Sequence, residues 1–215
     1  LDRKVLEYSH SAGFESYRNK LALSYQKQGI PVNAADIIVT TGGSEALIFG
    51  LMSACNPGDE VIIPSPYWVS YPEMVRLAGA EPVFVETTAE NNWKITPEQF
   101  EENMTGRTKM IILNTPGNPT GSVYTADELR ALGDVALYED IIILADEIYE
   151  HLVYGDTKHT SIASLGKDLY DLTITVNGFS KAYSMTGWRV GYTAAPKPIA
   201  EAMSKIQGHT TSNAT

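Results

Sequence analysis

Leu172-Thr173-Ile174-Thr175-Val176-Asn177-Gly178-Phe179-Ser180-Lys181-Ala182-Tyr183-Ser184-Met185-Thr186-Gly187-Trp188-Arg189-Val190-Gly191-Tyr192 decides how the rest of this chain is read. Its opening is a β-branched run of the kind that fills a buried strand, and residues 190–195 form a second short apolar run. Lys181 therefore falls just past the carboxyl end of a strand, where ligands bind in open α/β sheets. Arg189 follows closely enough to bring a second cation near the first. Gly178, Gly187 and Gly191 permit tight turns, and Ser180 adds a hydroxyl, so the stretch predicts a small pocket suited to an anion. A lysine in such a place can form a Schiff base with a carbonyl compound if its surroundings lower its pKa. Taken singly, Lys181 and Arg189 suit an ordinary solvated loop better, and the remainder of the chain has to decide.

Upstream, apolar runs at residues 37–40, 60–64, 81–86, 109–113 and 141–145 read as five further strands. Helical stretches separate them. Two are expected around Ser11-Ala12-Gly13, the second over residues 14–28 with Tyr17, Leu21 and Tyr25 on one face. Others run to Ala54, from about Tyr71 to near Gly79, and over residues 196–207. Thr96-Pro97-Glu98-Gln99 and Thr125-Ala126-Asp127-Glu128 are capping boxes, the second opening a helix to about Tyr138. Apolar strands separated by helices predict an α/β fold: three α/β/α layers around a seven-stranded, mostly parallel sheet. No composition shift marks a linker and no repeat is visible, so a single domain is expected.

The 215 residues carry 26 acidic against 16 basic side chains, a net charge of −10. That balance argues against nucleic acid as a partner, because a phosphate backbone would be repelled. An anionic cofactor stays open, since its pocket needs only local cations and amide dipoles. The single cysteine, Cys55, excludes an internal disulfide and a cysteine metal cluster, and reads as a buried inert thiol at an apolar helix end. No run approaches transmembrane length, so no membrane partner is expected, and the location expected is the cytoplasm.

The loops after the strands hold the polar residues. Thr41-Gly42-Gly43-Ser44-Glu45 joins a strand to a helix start, a turn whose free N–H groups suit an anion, although a bare βα turn is the commoner case. Asp146 ends an apolar strand, where a carboxylate needs a partner; a protonated ring nitrogen, an N-cap or an ion pair would each serve. Asn118, in Pro116-Gly117-Asn118-Pro119-Thr120-Gly121, offers an amide or simply builds the turn. Tyr149 offers a hydroxyl or packs, and Trp68 covers a flat ring or fills the core. Glu147 and His151 have the spacing of a helical metal pair, but with no third ligand evident no metal site is expected. Residues 42–46 lack the closing glycine of a hydrolase elbow, and a dinucleotide fingerprint is absent.

Taken together, Gly178, Phe179, Ser180, Lys181, Gly187, Arg189 and Gly191 resemble the lysine signature of the class I/II aminotransferases, enzymes that use pyridoxal 5'-phosphate on the fold-type-I scaffold. The resemblance covers nearly the whole chain and is strongest to prokaryotic aspartate aminotransferases, through residues 65–72 and 146–151. It implies that Lys181 forms the Schiff base and shuttles protons, and that Asp146 partners the ring nitrogen. It implies Asn118 and Tyr149 as donors to the phenolic oxygen and Trp68 as the stacking aromatic. Gly43, Ser44, Glu45, Ser180 and Arg189 would surround the phosphate, and Tyr8 would reach the cofactor of a neighbouring subunit in a homodimer. Ser44 stands where some members carry a lysine that helps select acidic substrates.

The same resemblance implies cis bonds before Pro66 and Pro119, and amino-group transfer from aspartate or a related amino acid to 2-oxoglutarate. A β-lyase (C–S lyase-like) on the same fold and a non-catalytic ligand-binding domain are the alternatives. Residues 1–215 are expected to form the cofactor-binding large domain, without the family's N-terminal segment or C-terminal small domain, and to be inactive alone.

Overall fold

The strands of the computed structural model, which describes residues 8–214, are β1 (Ile37–Thr40), β2 (Glu60–Ser65), β3 (Glu81–Glu86), β4 (Thr108–Asn114), β5 (Ile142–Asp146), β6 (Thr173–Gly178) and β7 (Gly191–Ala194). They form one seven-stranded sheet in the order β1-β7-β6-β5-β4-β2-β3. The pairs β2–β3, β2–β4, β4–β5 and β5–β6 are parallel, and β7 runs antiparallel to both β6 and β1. The sheet is thus mostly parallel, as expected, with β7 as the reversed strand.

Among the described residues seven α-helices cover it: α1 (Glu15–Lys27), α2 (Gly43–Ala54), α3 (Tyr71–Leu77), α4 (Pro97–Glu102), α5 (Ala126–Tyr138), α6 (Lys167–Leu172) and α7 (Lys197–Gly208). The inner strands β4 and β5 are apolar through their middles because both faces are buried, and successive side chains go to opposite sides. Val61 and Ile63 of β2 and Met110 and Ile112 of β4 join one core with Leu47 and Leu51 of α2, Val75 of α3 and Met203 of α7. Ile62, Ile111 and Ile143 join a second core with Phe100 of α4, Leu129 and Leu132 of α5 and Leu169 of α6. α1 places Leu21 and Tyr25 over Ile37, Val39 and Tyr192 in a third. Both capping boxes form, with Thr96 accepting from the amide of Gln99 and Thr125 from that of Glu128.

Differences from the sequence reading lie mostly at element ends. Phe14 precedes α1 instead of opening it. The helical stretch expected before Ser11 lies in part outside the described residues, and residues 8–13 form no helix. β4 and β5 each run one residue further than their apolar runs, so Asn114 and Asp146 are their last members. Residues 148–151 turn instead of forming a helix. Cys55 is half-buried at the end of α2, not fully buried, and burial pushes its thiol up to about 11. Cis bonds precede Pro66 and Pro119 as expected, and also Pro116. Among the described residues no helix is long and apolar enough to cross a membrane.

Candidate active site

The sheet register assembles the site. Asn114 stands opposite Asp146 across β4 and β5, and Asp146 opposite Val176 across β5 and β6. Chain direction then carries residues 179–181 out of the sheet beside them. β7 returns antiparallel with Gly191 opposite Gly178, which brings Arg189 back to the same edge. Thr40, the last residue of β1, faces Gly191, so the turn that opens α2 lies there too. Five strand ends thereby surround one cavity of about 240 Å³ lined by Gly43, Ser44, Trp68, Asp146, Tyr149, Lys181 and eight others.

One side of the cavity suits an anion. The N-terminus of α2 presents Gly43 and Ser44 to it, where free amides and the helix dipole favour negative charge. Arg189 lies against the turn: a Cβ on Gly42 would come 2.3 Å from its Nη2, so only a glycine lets the guanidinium lie there. Arg189 itself holds a left-handed φ of 52° and donates from Nη1 to the Thr186 carbonyl at 2.9 Å. Ser180, buried, lines the same cavity.

Another side is acidic and buried. Asp146 is 5% exposed; its Oδ2 accepts from the Tyr71 hydroxyl at 2.7 Å and its Oδ1 from the Ile148 amide at 3.2 Å. Burial raises its pKa above the usual carboxylate range, the charge of Glu147 adds to the rise, and the Tyr71 and Ile148 bonds and the charge of Lys181 pull it back part of the way. Asn114 donates to the Asp146 carbonyl at 3.0 Å and accepts from the Asn118 amide at 2.6 Å, tying the two loops together. The Asn118 side chain reaches the Tyr149 hydroxyl at 3.5 Å. The Lys181 amine lies 5.6 Å from the centre of the Tyr149 ring. Trp68 meets Tyr71 edge-on at 5.5 Å between ring centres.

Lys181, Asp146, Tyr149, Gly43, Ser44, Trp68, Asn118, Ser180 and Arg189 thus line one cavity. Glu45 does not; its carboxylate turns back to accept from the Thr41 amide at 2.6 Å and so holds the turn. Tyr8 also lies outside the lining and is 90% exposed. Tyr71 and Asn114 were missed. Asn114 carried the same signal as Asp146, a polar residue closing an apolar strand, whereas Tyr71 looked like a helix residue and nothing more.

The residues flagged as a metal pair separate, because a turn replaces the helix they need. His151 lies 3.2 Å from Glu150, while Glu147 meets His159 at 3.2 Å. Glu147, Glu150 and His159 offer ligand atoms within 4.8 Å of one another. Burial lowers the pKa of His159, but the Glu147 hydrogen bond and the charges of Glu147 and Glu150 outweigh it and the net shift is upward. The group is therefore read as a buried ion pair.

The model of the family described as "Aminotransferase class I and II" matches residues 1–215. The chain belongs to that family. It is 49% identical over 210 residues to an aspartate aminotransferase of Geobacillus stearothermophilus, covering 97% of this chain and 53% of the relative. It is 45% identical to an aspartate/prephenate aminotransferase of Cereibacter sphaeroides, covering 99% and 54%. The solved structure of Thermus thermophilus aspartate aminotransferase with maleate superposes with a TM-score of 0.93 at 42% identity, covering 97% of this chain and 54% of that one. An aromatic aminotransferase from Pyrococcus horikoshii gives 0.94 at 40% identity, covering 97% and 56%. This aminotransferase-family chain spans about half the length of the curated relatives it matches.

Proposed function

We propose that this chain binds pyridoxal 5'-phosphate through Lys181 and serves an aminotransferase that moves an amino group between aspartate, or a related amino acid, and a 2-oxo acid such as 2-oxoglutarate. One observation carries the reading: an amine, a buried carboxylate and an anion cradle share a single cavity. The residues fit the group on their own chemistry. The Gly42 turn leaves no room for a side chain beside Arg189, as a phosphate cradle requires, and the buried Asp146 carboxylate forms no ion pair among the described residues, a partner that a protonated pyridine would supply.

When bound, pyridoxal phosphate supplies an aldehyde that condenses with amines and a ring that takes up electron density from a substrate's α-carbon. The chain's residues do the rest. Lys181 carries the only amine among the cavity-lining residues, so it would hold the aldehyde and is the group that would take a proton from a substrate's α-carbon. Asp146 holds a proton on the ring nitrogen by its charge. Asn118 and Tyr149, side by side, direct hydrogen-bond donors at the ring's edge, and Trp68 excludes water from one face. Gly43, Ser44, Ser180 and Arg189 grip the phosphate and fix the ring's position, so that little orientation is lost at reaction. Ser44 sets the polarity of the turn beside it, and Glu45 contributes by holding that turn in shape.

Relatives named aminotransferases support transfer over elimination or a non-catalytic role. Residues 1–215 are read as the cofactor-binding domain. Arg189 is the only arginine in the lining, which leaves no second one there for a substrate carboxylate. The exposed Tyr8 supports a homodimer in which it reaches the second copy's cofactor, and the acidic, cysteine-poor composition supports a cytoplasmic setting.

The test is to incubate the chain with pyridoxal phosphate, reduce with borohydride and map the peptide that gains the cofactor's mass. Modification at Lys181, lost in Lys181→Ala together with the visible absorbance, is the expected result. Labelling spread over surface lysines would refute the assignment.

A further inference from the structure

Tyr71 has no part in the chemistry above, yet it touches both the residue that would face a flat ring and the residue that would meet its edge. Its ring is 2% exposed and meets Trp68 edge-on, with an interplanar angle of 89°. Its amide donates to the Trp68 carbonyl at 3.0 Å. Its hydroxyl donates to Oδ2 of Asp146 at 2.7 Å. We propose that Tyr71 is a positioning residue that locks Asp146 and Trp68 in one arrangement and keeps the carboxylate ready for a cationic ring nitrogen; its importance for transfer rests on the function proposed above.

The geometry supports this in three ways. Tyr71 is the first residue of α3 and its ring is embedded in the core with Leu47, Val75 and Ile112, so its hydroxyl cannot wander. Among the described residues the other Asp146 oxygen is held only by the Ile148 amide at 3.2 Å, so the 2.7 Å bond fixes the plane of the carboxylate. The charges facing Asp146 are those of Glu147, which opposes ionisation, and Lys181, which favours it. Tyr71 adds a neutral donor that favours the ionised form without competing as a counter-ion, leaving the negative charge for the ligand. Burial and the neighbouring carboxylate raise the hydroxyl's own pKa, so it stays a donor.

The test uses the full 215-residue chain carrying Tyr71→Phe, which keeps the ring and removes the bond. First, the Asp146 carboxyl is titrated by carbon NMR without cofactor, its signal assigned by its loss in Asp146→Asn. The midpoint should rise by about one pH unit, roughly tenfold in proton affinity; an unchanged midpoint overturns the proposal. If Tyr71→Phe does not fold, the bond is read in the unsubstituted chain as a slowly exchanging Tyr71 hydroxyl proton that vanishes in Asp146→Ala. Absence of that proton also overturns it.

Second, binding of pyridoxamine phosphate is compared with that of an analogue whose ring nitrogen is replaced by carbon. Tyr71→Phe should weaken the first by about tenfold more than the second. Equal weakening of both would mean that Tyr71 only packs. If the unsubstituted chain binds neither, the proposed function fails, while the carboxyl titration still decides whether Tyr71 sets Asp146.

Discussion

A Cβ on Gly191 would stand 2.5 Å from the carbonyl carbon of Gly42 and 2.7 Å from the amide nitrogen of Gly43. The start of β7 and the turn that opens α2 therefore touch backbone to backbone. No side chain separates the lysine stretch from the anion cradle, and the two halves of the site are held in register by that contact. Gly191→Ala should push the turn off β7, costing about 1–3 kcal/mol as overpacking does. A urea melt is expected to show a lower midpoint with an unchanged slope, together with weaker pyridoxal phosphate binding. An unaltered melt would mean that the turn yields freely.

Gly42 probes the cradle separately. It holds a φ of +85°, and a Cβ there would meet the Arg189 guanidinium. Gly42→Ala should lose about 1 kcal/mol of stability to the left-handed backbone. By displacing Arg189 it should also weaken the binding of phosphorylated ligands by about tenfold. Calorimetry with pyridoxal phosphate and with unphosphorylated pyridoxal separates the two effects, because only the first should lose affinity.

Asp146 predicts opposite effects on stability and on binding. Its pKa is raised by burial. Its contribution to stability is therefore complete below the ordinary carboxylate value and is lost as pH rises through the raised one. In the cofactor-free chain, Asp146→Asn should be more stable than the parent at neutral pH, with the advantage shrinking as pH falls toward about 4. The same variant should bind pyridoxal phosphate more weakly. Urea melts across the pH range, run beside a binding titration, check both signs.

His159 and Glu147 predict a pH trend of the same sign, set in the histidine's range. The histidine's pKa is raised, so the stability it contributes is fully present below the ordinary value near 6.5 and is lost as pH rises through the raised value. His159→Ala leaves the carboxylate of Glu147, 0% exposed, without its counter-charge. The expected cost is about 3–5 kcal/mol at acidic to neutral pH. A loss that did not vary with pH would indicate that packing, not charge, holds the pair.

The helix caps were legible because Thr96 and Thr125 each bond residues three positions away, and local spacing is all that a cap requires. The strands were legible because a sheet buried on both faces demands unbroken apolar runs. Their ends were not, since Asn114 and Asp146 are polar and nothing local says that the ladder continues through them. Tyr71 was invisible for a related reason: its partner is 75 residues away in sequence. Glu147 and His151 misled because their spacing has meaning only on a helix, and the chain turns there instead.

The sequence by itself determined the layering, the Lys181 stretch and most of the side chains the site would need, because hydrophobic period and turn chemistry are local properties. Only the tertiary structure decided which of those side chains meet. The parallel register of β4, β5 and β6 places Asn114 and Asp146 beside the exit to Lys181, and the reversed β7 returns Arg189 to the Gly42 turn. Distances of that kind depend on how strands far apart in the chain are ordered in the sheet, and no window of sequence contains that information.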